Sequence, residues 1–218
     1  MNEQVYLHDI GNPHYLYVPE DQRKVLEEIL DSGYLLSRRM QGKTFSRGFA
    51  GLDYISLCDY TLRDLCNSPL YNGYHQYIKN SLAVGFPKED LDVIKPIIID
   101  PIGTIVDGYE YMRMLGNSTN QRYSDLPDEI QVKDRISMDK MTLVTFPTRF
   151  YLDDSLFNNK TILFKRLKKE LEKVNKLLIK YNYEVPVYDV ESGILLDEEN
   201  AYKLVMRSWI SSRNWNFE

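Results

Sequence analysis

Short apolar runs separated by polar, proline- and glycine-bearing segments fill the first two thirds of the chain, and helical apolar spacing takes over in the last third. Tyr15 to Val18, aromatic and β-branched, predicts a strand, with Pro19, Glu20 and Asp21 in the positions of a helix start. Val25, Leu26, Ile29 and Leu30 recur at i, i+1, i+4 and i+5, which predicts a helix over Gln22 to Asp31 that Gly33 stops. A basic, small-residue loop with Arg38, Arg39, Lys43 and Arg47 follows and opens into a strand over Leu52 to Cys58. Thr61 to Asn72 fits a helical or irregular segment, and Tyr77 to Phe86 a further strand. Lys95 to Asp100 carries a short apolar run, Ile97 to Ile99, between prolines, as in an inner strand, while residues 107 to 114 fit either strand or helix.

A polar segment, GNSTNQRYSDLP, runs into the alternating stretch EIQVKD, with Ile130 and Val132 on one face and Glu129, Gln131 and Lys133 on the other. Met141 to Phe146 predicts another strand. Leu163, Leu167, Leu171, Val174, Leu178 and Tyr181 keep steps of four and three, a helix of about five turns. Its other faces carry Lys165, Arg166, Lys168, Lys169, Lys173, Lys176 and Lys180, which fit a solvated face or a surface for nucleic acid or an acidic partner. A short strand over Glu184 to Val190 and a helix from Asp197 to Ile210 complete the pattern, which is α+β and lacks regular βα alternation.

Composition narrows the chemistry. At 218 residues and 43% hydrophobic, the chain can bury a sizeable core in one domain or in a domain with an appendage. A net charge of −5 argues against holding nucleic acid by overall charge, although a local patch could do so. The two cysteines, Cys58 and Cys66, have no histidine or further cysteine at ligand spacing, so neither a zinc site nor a disulfide framework is expected. With no basic start ahead of an apolar core and no apolar run near the roughly 20 residues of a membrane span, a cytoplasmic protein is expected, with delivery as an effector left open. No GxGxxG or GxxxxGK[ST] loop occurs, and His8, His14 and His75 sit in no recognisable triad signature. Glu129 stands out by position, because a carboxylate heading a strand beside a polar loop is well placed to polarise a substrate.

The segments YLYVPEDQRKVLEEILDSGYL, GLDYISL, NSLAVGFPKE and PDEIQVKD, in this order and spacing over residues 14 to 146, resemble the ADP-ribosyltransferase superfamily, which transfers ADP-ribose from NAD. The likeness is to its poly-ADP-ribose polymerase-like or bacterial toxin-like catalytic domains. It implies a split β-sandwich core over residues 1–150 with flanking helices, and a C-terminal helical extension over 151–218 packed on that core. It further implies Glu129 as the catalytic carboxylate, Tyr54 stacking on nicotinamide and Ser56 bonding to ribose or supporting the glutamate. The first-strand position that holds histidine or arginine in the family falls on Tyr17 or Val18 here, with His14 just before it. Arg38, Arg39 and Arg47 are candidates for the pyrophosphate, which a planar guanidinium binds in a bidentate way. NAD is then a substrate, no metal is needed, and the acceptor is a protein or a nucleic acid. Pro127, two before the glutamate, breaks the Glu/Gln-x-Glu pattern of arginine-modifying members. The alternative is a non-catalytic binding module on a degenerate transferase fold; removal of RNA phosphate with NAD as acceptor is a third reading.

Overall fold

A computed structural model describes residues 5–10, 19–44, 53–59, 78, 81–92, 95–99, 105–107, 129–152 and 159–214. In chain order the elements are β1 (Val5–Asp9), α1 (Pro19–Ser32), β2 (Tyr34–Leu36), β3 (Tyr54–Asp59), β4 (Ala83–Pro87), β5 (Lys95–Ile99), β6 (Ile105–Asp107), β7 (Glu129–Lys133), β8 (Arg135–Ser137), β9 (Leu143–Phe146), α2 (Arg149–Leu152), α3 (Lys160–Lys180), β10 (Val187–Asp189) and α4 (Glu198–Asn214). Eight strands form a sheet in the order β10-β9-β4-β1-β3-β7-β5-β6, and β2 pairs with β8 in a separate ribbon. All neighbours are antiparallel except β9 and β10. The described residues therefore form a mixed fold with a central sheet and three long helices.

Strand pairing fixes which alternate positions share a face, because residues opposite each other project to the same side. Ile55, Leu57, Val84, Phe86, Ile130, Val132, Val144 and Phe146 lie on one side and are buried in a single cluster with Leu26 and Leu30 of α1. Leu163, Leu167, Leu171, Val174 and Leu178 of α3 and Ala201, Leu204 and Val205 of α4 belong to the same cluster. Each fully buried apolar side chain of this size contributes about 1.5–3 kcal/mol. Val5 and Leu7 of β1 alternate to the other side, where they join Cys58, Ile78, Ala83, Leu143, Tyr188 and Val190 in a smaller cluster.

The helices form where the apolar spacing requires, and local chemistry sets their ends. Asn159 caps α3 by accepting from Thr161 N–H at 2.9 Å, which starts the helix one turn before its first buried leucine. Gly33 ends α1 at φ 71° with its N–H on the Ile29 carbonyl at 3.1 Å, and its own carbonyl accepts from Met138 at 2.9 Å. That last bond ties the end of α1 to the β2/β8 ribbon. Several basic groups of α3 are engaged: Lys168 with Glu198, Lys173 with Glu170, Lys180 with Glu27, and Arg166 stacked 5.6 Å from the Tyr151 ring centroid. Of these, Lys168 and Lys180 tie α3 to α4 and α1, respectively. The Lys180 ammonium holds the Glu27 carboxyl below its usual range, and the carboxylate in turn raises Lys180.

Two expectations need correction, and a third lies outside the described residues. The strand expected over Tyr77 to Phe86 is limited to Ala83–Pro87; Ile78 is helical, and the Leu82 N–H goes to the Gln22 side chain at 2.7 Å. The strand expected over Glu184 to Val190 is limited to Val187–Asp189, since Pro186 has no N–H to give and offers only its carbonyl, to Val144 at 3.0 Å. The strand expected at Tyr15 to Val18, and Tyr17 with it, lies outside the described residues; the first described strand is Val5–Asp9, next to β3.

Candidate functional site

The region of interest is built on β3 and β7. Ile55 and Leu57 of β3 and Ile130 and Val132 of β7 are drawn into the helix-covered core, so the intervening residues are turned to the opposite side. The register sets Tyr54 against Lys133 and Ser56 against Gln131. Tyr54 and Ser56 are half-buried, Lys133 is exposed, and Gln131 is only 2% exposed, so the second face of β7 is closed at its middle and open at its end. Glu129 is the first residue of β7, in register with Ile97 of β5, and belongs by the two-residue period to the same alternate set as Gln131 and Lys133. Tyr54 therefore lies beside the end of β7 and Ser56 beside its middle, while Glu129, at the head of β7, continues the same ladder past Leu57 and Ile130.

On the other side of β3, β1 runs antiparallel with Tyr6 opposite Asp59 and Leu7 opposite Cys58. The ladder stops there. Past it, the His8 ring meets the Ser56 carbonyl, with Nδ1 at 2.7 Å. A carbonyl can only accept, so Nδ1 carries the hydrogen of this bond. His8 alternates with Tyr6, away from Val5 and Leu7, and its ring reaches β3 at the main chain of Ser56, between Ile55 and Leu57. The resemblance places its first strand at the later aromatic run and gives His8 no role. The signal was present in VYLHD, whose Val5 and Leu7 alternate with Tyr6 and His8.

Arg39 lies in the segment after β2. That segment is not an open loop: Gln41 N–H bonds to the Ser37 carbonyl at 3.0 Å, Gly42 N–H to Arg39 at 2.9 Å and Lys43 N–H to Arg38 at 2.9 Å. Its root is fastened to both site strands. Ser37 N–H donates to the Asp134 carbonyl at 2.7 Å, and Asp134 N–H donates to the Asp53 carbonyl at 2.8 Å. Asp134 directly follows β7 and takes φ 61°, a left-handed conformation that redirects the chain into β8. Arg39 grips the Asp53 carboxylate with Nε on Oδ1 and Nη2 on Oδ2, the latter at 3.2 Å.

Of the expected site residues, Tyr54 and Ser56 lie on β3 alongside the strand that Glu129 begins, with Tyr54 at the opposite end of the ladder from Glu129, and Arg39 is fixed one residue before Tyr54 through Asp53; Tyr17 lies outside the described residues. Asp53 and Asp134 had no signal in the sequence, since their importance comes from pairing across strands distant in the chain. Among the described residues no group of three or more His, Cys, Asp and Glu side chains is arranged to hold a metal ion, and no helix is long and apolar enough to cross a membrane.

No family model and no curated protein matches the chain. Among solved structures it is similar to Thermus sp. 2.9 DarT in complex with carba-NAD+, at 11% identity and a TM-score of 0.35 over 81% of this chain and 92% of that one. It is also similar to Thermus sp. 2.9 DarT in complex with NAD+, at 14% identity and a TM-score of 0.34 over the same shares. Overlap of this extent leaves function to be argued from the chain's own residues.

Proposed function

We propose that the chain is an NAD-dependent ADP-ribosyltransferase acting on a protein or nucleic acid, with Glu129 as its catalytic carboxylate. Residues 1–150 form the transferase domain in this reading, and 151–218 a helical extension packed on it. The observation that carries it is the β3–β7 register, which brings Tyr54 and Ser56 beside the strand that Glu129 begins. These are the residues that the family resemblance singles out, and they come from segments more than seventy positions apart in the sequence. The short β1–β3 ladder supports the expected splitting of the sheet, since it is the narrowest connection between the β10-β9-β4-β1 half and the β3-β7-β5-β6 half. Tyr17 keeps the first-strand role that the resemblance gives it, since His8 of β1 stands opposite Val84 and so alternates to the helix-covered side, away from Tyr54 and Ser56.

NAD supplies a glycosidic bond between nicotinamide and ribose that is already activated by the positive charge on the ring. Tyr54 presents an aromatic face for stacking on nicotinamide, and Ser56 a hydroxyl for ribose or for the glutamate. The Glu129 carboxylate accepts a hydrogen bond from ribose and stabilises the positive charge that grows as the bond to nicotinamide breaks. The acceptor bonds to the ribose carbon and gives up its proton, and nicotinamide leaves.

The test is incubation of the protein with NAD+ labelled in its ADP-ribose portion and a cell lysate. The expected result is release of nicotinamide and transfer of label to protein or to nuclease-sensitive material. No nicotinamide release and label in neither fraction would overturn the proposal and favour a binding module without turnover.

A further inference from the structure

We infer that Asp53 is a positioning residue for dinucleotide binding: it holds the Arg39 guanidinium by one edge so that the other edge stays aimed at a phosphate. This rests on the reading of the site given above. An arginine has five N–H donors in a rigid plane. The Asp53 carboxylate engages Nε and Nη2, the side edge of that plane. Both hydrogens of Nη1 and one of Nη2 remain for a second anion, and no described residue takes Nη1. The Arg39 side chain is 64% exposed, so this end edge is open to a ligand, whereas a free arginine there would sample many rotamers.

The ion pair is one part of a built junction. The Asp53 carbonyl receives Asp134 N–H, the Asp134 carbonyl receives Ser37 N–H, and the turn from Ser37 to Lys43 closes on itself through Gly42, which takes φ 71°. Gln41 Nε2 adds a bond to the Leu36 carbonyl at 2.7 Å. The main chain carrying Arg39 is thereby anchored to the start of β3 and the end of β7, beside Tyr54 and Lys133. What Asp53 adds through its side chain is orientation of the guanidinium.

The test is equilibrium NAD+ binding by calorimetry to the wild type, Asp53→Asn, Asp53→Glu, Arg39→Ala and the Arg39→Ala/Asp53→Asn double variant. Asp53→Asn is expected to weaken binding about fivefold, near the upper end for an exposed pair. Asp53→Glu, which keeps the carboxylate, should stay within about twofold of wild type, on the same scale for such a pair. The double variant should bind like Arg39→Ala alone, because two residues acting as one unit are not additive. An equal loss from Asp53→Asn with and without Arg39 would overturn the inference, since Asp53 would then act through the fold. Unchanged or tighter binding by Asp53→Asn would overturn it too. If the wild type binds no NAD+, the proposed function falls and the inference with it; NAD+ binding with additive variants defeats the inference alone.

Discussion

The two faces of the central sheet are built differently. The helix-covered face is held by volume: Phe86, Val144, Ile130 and their neighbours meet leucines of α1, α3 and α4 in one cluster. The opposite face is apolar around β1, β4 and β9, reaching Cys58 at the end of β3 and Tyr188 of β10; over the rest of the β3–β7 ladder it carries Tyr54, Ser56, Gln131 and Lys133. There the geometry depends on strand register, on Asp134 at the end of β7 and on the Arg39–Asp53 pair. The difference teaches that the stabilising and the chemically equipped parts of this sheet are alternate residues of the same strands. Changes on one face should therefore separate stability from NAD chemistry.

The largest separation is expected from Phe86→Ala, which leaves a cavity under the helices and should cost about 3–5 kcal/mol in denaturant unfolding. Its folded fraction should keep the wild-type affinity for NAD+; an equal collapse of affinity and stability would break the comparison. Gly85→Ala probes the apolar end of the opposite face. An added Cβ would come within 2.6 Å of Leu143 Cδ1 and 3.1 Å of Leu7 Cδ2, both in buried side chains, so a loss of about 1–3 kcal/mol is expected. Asp134→Val puts a β-branched residue at φ 61° and should cost about 1–2 kcal/mol. That change should also weaken NAD+ binding, because the carbonyl and N–H of residue 134 join the Arg39 turn to β3; a purely thermal effect would blunt this part of the account.

The smallest effect concerns the α1–α3 contact. The folded pKa of Glu27 is depressed by Lys180, so its contribution is complete above the unfolded value of 4.5 and is lost as pH falls through the folded value. Lys180 is raised, so its contribution is complete below 10.5 and is lost at still higher pH. Melting temperature should therefore fall slightly more between about pH 5 and pH 3 in the wild type than in Lys180→Gln, as expected for an exposed pair. Identical pH profiles would remove the pair from the account.

The helix-covered half of the fold was legible in the sequence because its pattern is local. Leu163, Leu167, Leu171, Val174 and Leu178 predict α3, and all five are buried. Gly33 marks the end of α1 for the expected reason, a positive φ. The strands were harder to read. Short apolar runs do not say which strand pairs with which, so the place of VYLHD beside β3 is not legible in them, and β4 is shorter than the run that suggests it. Of the candidate site, the β3 pair Tyr54 and Ser56 and the alternation of EIQVKD could be read from spacing of two. Their adjacency, the burial of Gln131 and the service of Asp53 to Arg39 arise only when distant segments pair, which periodicity cannot express.

The most direct test of the central claim is nicotinamide release from NAD+ by the wild type and by Glu129→Ala, with unfolding measured in parallel. The account predicts a fall in rate of about 10²- to 10³-fold, the size typical of losing one preorganised electrostatic contact, while stability is nearly unchanged. Wild-type rates in Glu129→Ala would contradict it.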